Sequence, residues 1–345
     1  MSSLFTPLNV GNTTIKNRIG QRMSAMTRNR ADSSAVPTHI MKKYYLQRAL
    51  GGAGLIVTEA TLISPQALWH VGRLSHLDAP QQIAAGEPVY APSAIAARGG
   101  EGSFRFLPGA PGFVTPTEIL DPSVLITQYK NAALNAKLAG FDGVELHAAS
   151  GFLVHQFLDS TSNTRTDEWG GNVENRARFG VEVLKALVEV FGPDVSIKIS
   201  PAGGLHDMGM PIQDTIDTFS YFIAEADKLK LSYITLNRYA AHRDPVIEGK
   251  KRGTPHGVLA TYRKLIKHAK TFVVGGVTPA EANELAKTGQ VDGVFFGALW
   301  LAHPDLAKRI QHSKAINNEL DLPHLYGNLD VDPALGYTDY PAITY

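Results

Sequence analysis

Residues 143–146 form a short apolar run that stops at once in His147 and a turn of small residues at 148–151, and no other feature constrains the fold as much. The pattern is that of a buried strand ending in a polar side chain. In a parallel α/β barrel the side chains just past the C-terminal ends of the strands line the mouth where chemistry occurs, so a histidine here points at substrate. A hydrogen-bonded core histidine is the competing reading. Similar short apolar runs recur at 19–26, 54–59, 195–200, 233–236, 272–275 and 293–296, with helical segments at 39–50, 122–138 and from about 173 onward. Strands alternating with helices predict the α/β class and a mostly parallel sheet. At 345 residues the chain suits one barrel with insertions, a single domain over residues 1–345.

Composition removes several functions. The formal net charge is +1, with both signs spread along the chain, so no footprint for nucleic acid or a membrane surface is expected. Without cysteine there is no disulfide, no thiolate metal site and no cysteine nucleophile, and no metal is expected. The first ten residues lack the layout of a signal peptide, and no apolar run reaches the roughly 18 residues that span a bilayer. A cytoplasmic monomer or homodimer acting on a small molecule is the expectation.

After the turn the chain carries Asn163, Arg165, Asp167, Gly170, Gly171, Asn175 and Arg176 in a polar loop that runs into a helix near Val173. This combination resembles the Old Yellow Enzyme family, in particular its fungal branch, and the resemblance extends over nearly the whole chain. It implies a (β/α)8 TIM barrel, FMN as cofactor, NAD(P)H as reductant, and an activated alkene, an enone or similar, as substrate. Ser24 to Arg28 match the family's end of strand one, so Ala25, Met26 and Thr27 are implied to border the flavin, with the Thr27 hydroxyl on the carbonyl O4. Thr27 as a turn or capping threonine remains open. Small Ala60 follows strand two, where the resemblance implies that the cofactor approaches the backbone closely.

Lys198 alternates with apolar neighbours inside a strand, and a buried lysine demands a charge partner. The family has a basic residue there facing flavin N1 and O2; a Schiff-base lysine is the alternative. Gly275, Gly276, Gly297 and Ala298 stand at the ends of the last two strands, where barrels commonly hold a phosphate. Trp69 matches the tryptophan that shapes the substrate pocket, and Tyr326 falls where an active-site tyrosine is usual. Either could instead be an ordinary structural aromatic. Residues 87–120, rich in Pro and Gly, read as a lid hairpin, and 320–345 as a C-terminal tail.

The chain also departs from the family pattern. LWHVGR at 68–73 begins nine residues after Glu59, too few for a crossover of about a dozen residues between parallel neighbours. The barrel is therefore expected to lack one helix-strand unit between strands two and three. At that seam Ala67 stands where the family has a flavin-binding glutamine, and Gln66 sits one residue early. An ene-reductase needs two donors on the substrate carbonyl and a proton donor; the family motif of His, then Asn or His, then Tyr reads here as His147, Ser150 and Phe152. Ser150 can still donate, but Phe152 cannot. Loss of one such donor costs about 3 to 4 kcal/mol of barrier. Ala298 replaces the phosphate arginine, worth roughly 1.5 to 3 kcal/mol of FMN binding. Three readings follow: an FMN-dependent oxidoreductase of altered or reduced activity, protonating from water or Tyr326; a flavin-poor or non-redox barrel serving as a ligand-binding protein or a cyclase or isomerase of a fungal pathway; or a chain shortened by a lost exon.

Overall fold

The computed structural model describes residues 2–22, 27–32, 34, 36–63, 72–74, 86, 88–99, 113–327 and 331–345. A two-stranded ribbon comes first, β1 (Leu8–Val10) and β2 (Thr13–Ile15), turning at Gly11 and Asn12. There follow β3 (Ile19–Arg22), α1 (His39–Leu50), β4 (Leu55–Val57), β5 (Tyr90–Ala91), β6 (Thr117–Glu118), α2 (Ser123–Leu138), β7 (Val144–Ala148), α3 (Leu153–Leu158) and α4 (Val173–Phe191). The remainder is β8 (Val195–Ile199), α5 (Ile212–Lys228), β9 (Tyr233–Asn237), the short pair β10 (Val246–Ile247) and β11 (Lys250–Lys251), α6 (Val258–Tyr262), β12 (Lys270–Val274), α7 (Pro279–Lys287), β13 (Gly293–Phe296), α8 (Ala298–Ala302) and α9 (Leu306–Gln311). The chain divides into two compact units, one of Met1–Asn9, Thr14–Ala60 and Phe272–Tyr345, the other of Val10–Thr13 and Thr61–Thr271.

In the first unit the parallel strands run β4-β3-β13-β12. Their packing follows from glycines set opposite phenylalanines. A Cβ on Gly20 would sit 2.3 Å from the Phe295 ring, and one on Gly293 would sit 2.3 Å from the Phe272 ring, so each glycine makes room for its neighbour's ring. Helix α1 stops where Gly51 passes so close to the backbone at Pro304 that a Cβ would meet the carbonyl oxygen at 1.9 Å. All three side chains of β4 are only half-buried, although those of β3 are all buried. Parallel strands are ordinarily covered on both faces. Between β4 and the 3-10 turn Gly72–Leu74, residues 64–71, where the helix-strand unit is expected to be missing, lie outside the described residues.

The second unit sets β7, β8 and β9 side by side, in register from Val144 opposite Val195 and from Ser196 opposite Tyr233. Successive strand residues face opposite sides. Leu146, Ala148, Val195, Ile197, Ile199, Ile234 and Leu236 therefore enter one core with α4 and α5. The other side carries Glu145, His147, Ser196, Lys198, Tyr233 and Thr235, an almost wholly polar face. Helix α4 starts where the Asn172 side chain accepts the Asn175 N–H at 2.8 Å. Near the ends of the segment expected as a lid, Tyr90 pairs in parallel with Thr117 and Ala91 with Glu118, while residues 100–112 between them lie outside the described residues. Among the described residues no helix is long and apolar enough to cross a membrane.

Candidate active site

Two groups of the expected site residues can be followed, one in each unit. In the second unit His147 lies directly across from Lys198, and Lys198 across from Thr235. His147 occupies the last turn of the pleat in β7 rather than the loop beyond it, and it is half-buried. Lys198 is 5% exposed, and a cation held in a strand at that depth is what an anionic or electron-rich ligand edge would match.

The chain leaves β7 through Ser150 and Gly151, both with left-handed backbone (φ 56 and 76). For serine this costs on the order of 1 kcal/mol. The turn is held from below: the Ser150 N–H donates to the Ser200 hydroxyl at 2.7 Å, the Gly151 N–H to His155 Nδ1 at 3.1 Å, and the Gln156 side-chain amide to the Gly151 carbonyl at 2.7 Å. These bonds hold the backbone of the turn in place. Burial drives the His155 pKa down to about 4, so that ring is a neutral brace at ordinary pH. The Phe152 ring packs on His147 with centroids 4.6 Å apart. His147, Ser150 and Phe152 are thus brought together, the apolar ring of Phe152 lying against the imidazole.

The polar loop after α3 is a brace. Asn163 donates from its side chain to the carbonyls of Phe157 and Trp169, each at 2.8 Å. Arg165 grips the Asp167 carboxylate and the carbonyls of Pro92 and Ile119. Arg176 reaches the Leu158 carbonyl at 3.1 Å and the Asp214 carboxylate at 2.6 Å. These residues make the sequence recognisable by shaping the loop.

In the first unit Gly275 and Gly276 follow β12 with φ 108 and 65, and Gly297 follows β13. A Cβ on Gly276 would meet nothing within 4 Å, and one on Gly297 only the Arg22 carbonyl at 3.9 Å. Open space beside bare backbone is a cradle that a phosphate can enter. Ala298 opens α8 and offers no charge. Arg22, on the same face of β3 as Gly20, is buried with its guanidinium 4.8 Å above the Phe295 ring. The reading from sequence passed over this cation, although the argument applied to Lys198, a charge inside an apolar run, applies equally to it.

Thr27 is exposed and half-buried Ala60 lies close to it in structural terms, because the next residue on one side bonds the preceding residue on the other: the Arg28 N–H donates to the Glu59 carboxylate at 2.8 Å. Burial raises the Glu59 pKa, and the Arg28 contact opposes that rise. Arg28 and Arg30 then hold the tail, Arg28 through the carbonyls of Leu325 and Gly336 (2.5 Å each) and Arg30 through those of His324 and Leu335 (3.0 and 2.9 Å). Tyr326 is half-buried and lines a small cavity of this tail with Arg30, His324 and Asp332. Ala25, Met26, Gln66, Ala67 and Trp69 lie outside the described residues.

Each unit taken by itself offers groups that suit a part of FMN: the second a buried ammonium for an electron-rich edge, the first a threonine hydroxyl and glycine backbone with room for a phosphate. Comparison with known proteins agrees. The pattern described as NADH:flavin oxidoreductase / NADH oxidase family matches residues 3–85 and 67–317. The chain is 34% identical to NADP-dependent oxidoreductase lnbE of Aspergillus flavus over 386 positions, covering 99% of this chain and 96% of that protein. It is 33% identical over 373 positions to a Claviceps purpurea protein described as "probable inactive dehydrogenase easA", covering 99% and 95%. Among solved structures it is similar to morphinone reductase, with TM-score 0.82 and 33% identity over 99% of this chain and 96% of that one, which bears out the barrel class.

Proposed function

The chain belongs to the NADH:flavin oxidoreductase / NADH oxidase family, the Old Yellow Enzyme type of FMN-dependent, NAD(P)H-consuming enzyme, and on that premise we propose that it reduces an activated alkene at a diminished rate. What carries the reading is the polar face of β7 and β8, where His147 and Lys198 are cross-strand neighbours with Ser150 and Phe152 in the turn beyond. When bound, FMN supplies the hydride that originates from NAD(P)H.

The rest falls to the protein. Gly275, Gly276 and Gly297 present backbone N–H groups to the phosphate, with Ala298 adding no charge and Arg22 at the neighbouring strand end. With FMN bound, Lys198 would offset negative charge at the flavin's polar edge, and Thr27 would donate to its carbonyl. His147 and the Ser150 hydroxyl hold the substrate carbonyl and stabilise the enolate as it forms. Phe152 supplies apolar contact only, so the proton for the α-carbon comes from water or from Tyr326. A cytoplasmic monomer or homodimer, with no nucleic-acid or membrane partner, belongs to the same reading.

The absent helix-strand unit is part of the proposal as well. Half-exposed β4 supports it, as does an alignment of 386 positions against a chain of 345 residues. Phe152 and Ala298 favour a second reading, a barrel that binds a ligand without turnover, in keeping with the name of the Claviceps relative. The two are separated by reducing the FMN-loaded protein anaerobically with NADPH and adding 2-cyclohexenone. Reoxidation of the flavin with formation of cyclohexanone is expected; NADPH reduction without reoxidation by any enone would favour the second reading.

A further inference from the structure

Two left-handed segments face each other in the second unit. One is the turn of Ser150 and Gly151; the other is His206 and Asp207, with φ 60 and 61. Two successive non-glycine residues in this region are sterically disfavoured, and such backbone persists only where its surroundings over-determine it.

Here the surroundings are arginines. The Asp207 carboxylate accepts from the Arg98 N–H at 2.9 Å, from Arg98 Nε and Nη2 at 3.1 and 2.9 Å, and from Arg252 Nε at 2.7 Å. The Asp207 carbonyl accepts from Arg73 and Arg252, both at 3.2 Å. A residue that needed only to cross from β8 to α5 would not require six such bonds.

What the clamp delivers is the imidazole of His206. Its Nδ1 lies 2.5 Å from the Ser150 carbonyl oxygen. A carbonyl can only accept, so Nδ1 carries the proton. The ring stands edge-on to Phe152 at 5.9 Å and 90°, and Phe152 in turn packs on His147 at 4.6 Å. The approach is so close that a Cβ on Gly151 would lie 2.8 Å from the His206 Cβ. Burial lowers the His206 pKa against the opposing hydrogen bond to Ser150, so the ring is neutral at neutral pH. The ring therefore touches, through one hydrogen bond and one aromatic contact, both residues that flank Gly151.

We propose that His206 is a positioning residue: it fixes the turn bearing Ser150 and, through Phe152, the orientation of the His147 ring. The inference rests on the reading above that His147 and Ser150 hold the substrate carbonyl. A displacement of about 1 Å in a positioned group costs up to roughly 100-fold in rate, so a modest slackening of this turn is visible in kcat.

The test uses two substitutions in the full-length, FMN-loaded protein. Asn in place of His206 tolerates left-handed backbone and keeps a side-chain N–H near the place of Nδ1, whereas Ala removes the donor and the ring. With NADPH and 2-cyclohexenone, His206→Ala is expected to lower kcat by on the order of tenfold or more with KM changed much less, and His206→Asn to recover most of the loss. In parallel, the His147 ring proton resonances, followed by NMR without substrate, should shift in His206→Ala and return toward the parent in His206→Asn. If the parent turns over no enone, the functional reading fails, and the His147 resonances alone decide this proposal. Unchanged kcat and resonances in His206→Ala would overturn it. So would equal losses in both variants that track a lower melting temperature, since these mark a purely structural role.

Discussion

Replacing Gly297 by alanine separates ligand binding from folding more cleanly than any other substitution in the chain. The residue has φ −96, so alanine takes the backbone without left-handed strain. Its new methyl would have the Arg22 carbonyl at 3.9 Å as its nearest neighbour, ordinary contact distance. Folding should therefore be unharmed, and the loss of glycine's freedom in the unfolded chain adds about 0.4 to 1 kcal/mol of stability. The same methyl stands in the space beside the backbone assigned to the FMN phosphate. Loss of one charge-assisted hydrogen bond there, about 1.5 to 3 kcal/mol, weakens FMN by roughly 10- to 150-fold. Quenching of FMN fluorescence on titration with apoprotein gives the affinity, and a thermal melt of the same apoprotein gives the stability. A variant whose melting temperature is equal or higher and whose FMN affinity is within about threefold of the parent would refute the phosphate assignment.

Other perturbations test other links. Phe152→Tyr restores a phenol beside His147, and if protonation limits turnover, NADPH oxidation driven by an enone should rise on the order of 100-fold; an unchanged rate rejects the phenol's absence as the cause. Arg28→Met leaves the buried carbonyls of Leu325 and Gly336 without a donor and should cost about 3 to 5 kcal/mol, read as a lower denaturation midpoint and early proteolysis of the tail. His155 has its pKa lowered by burial to about 4, from an ordinary value near 6.5, so its contribution to stability is complete above pH 6.5 and is lost as pH falls toward 4. His155→Gln should flatten that acid limb in urea unfolding, and an identical pH slope would exclude His155 as its source. The Asp207 carboxylate, where burial raises the pKa but the bonds from Arg98 and Arg252 prevail and lower it, adds stability above the ordinary carboxylate range that is lost at still lower pH; Asp207→Asn should remove that component.

Much of this was legible in the chain because local chemistry fixes it. Gly51 and Gly52 stop α1 where the reading from sequence stops it, and the run from Gly293 to Phe296 is a strand with those ends. His147 and Lys198 stood out for the same reason, each a polar residue in an apolar run. Arg22 satisfies that criterion too, a cation at the end of a buried strand. Helix α3 was hidden differently: all six of its side chains are buried, so it has no polar stripe to mark a helical period. The grip of Arg28 on Gly336 joins residues 308 positions apart, and no local signal reports a contact of that kind. His206 was invisible for a similar reason, since its role depends on left-handed backbone imposed by Arg73, Arg98 and Arg252 from three separate segments.

The claim beneath all of this is that the protein retains FMN despite Ala298, its phosphate on the cradle of Gly275, Gly276 and Gly297. A visible absorption spectrum of the purified protein, before and after incubation with FMN and gel filtration, tests it directly. The account predicts a protein-bound flavin band that bleaches on addition of NADPH. A protein that melts cooperatively and still emerges colourless after FMN addition would contradict it.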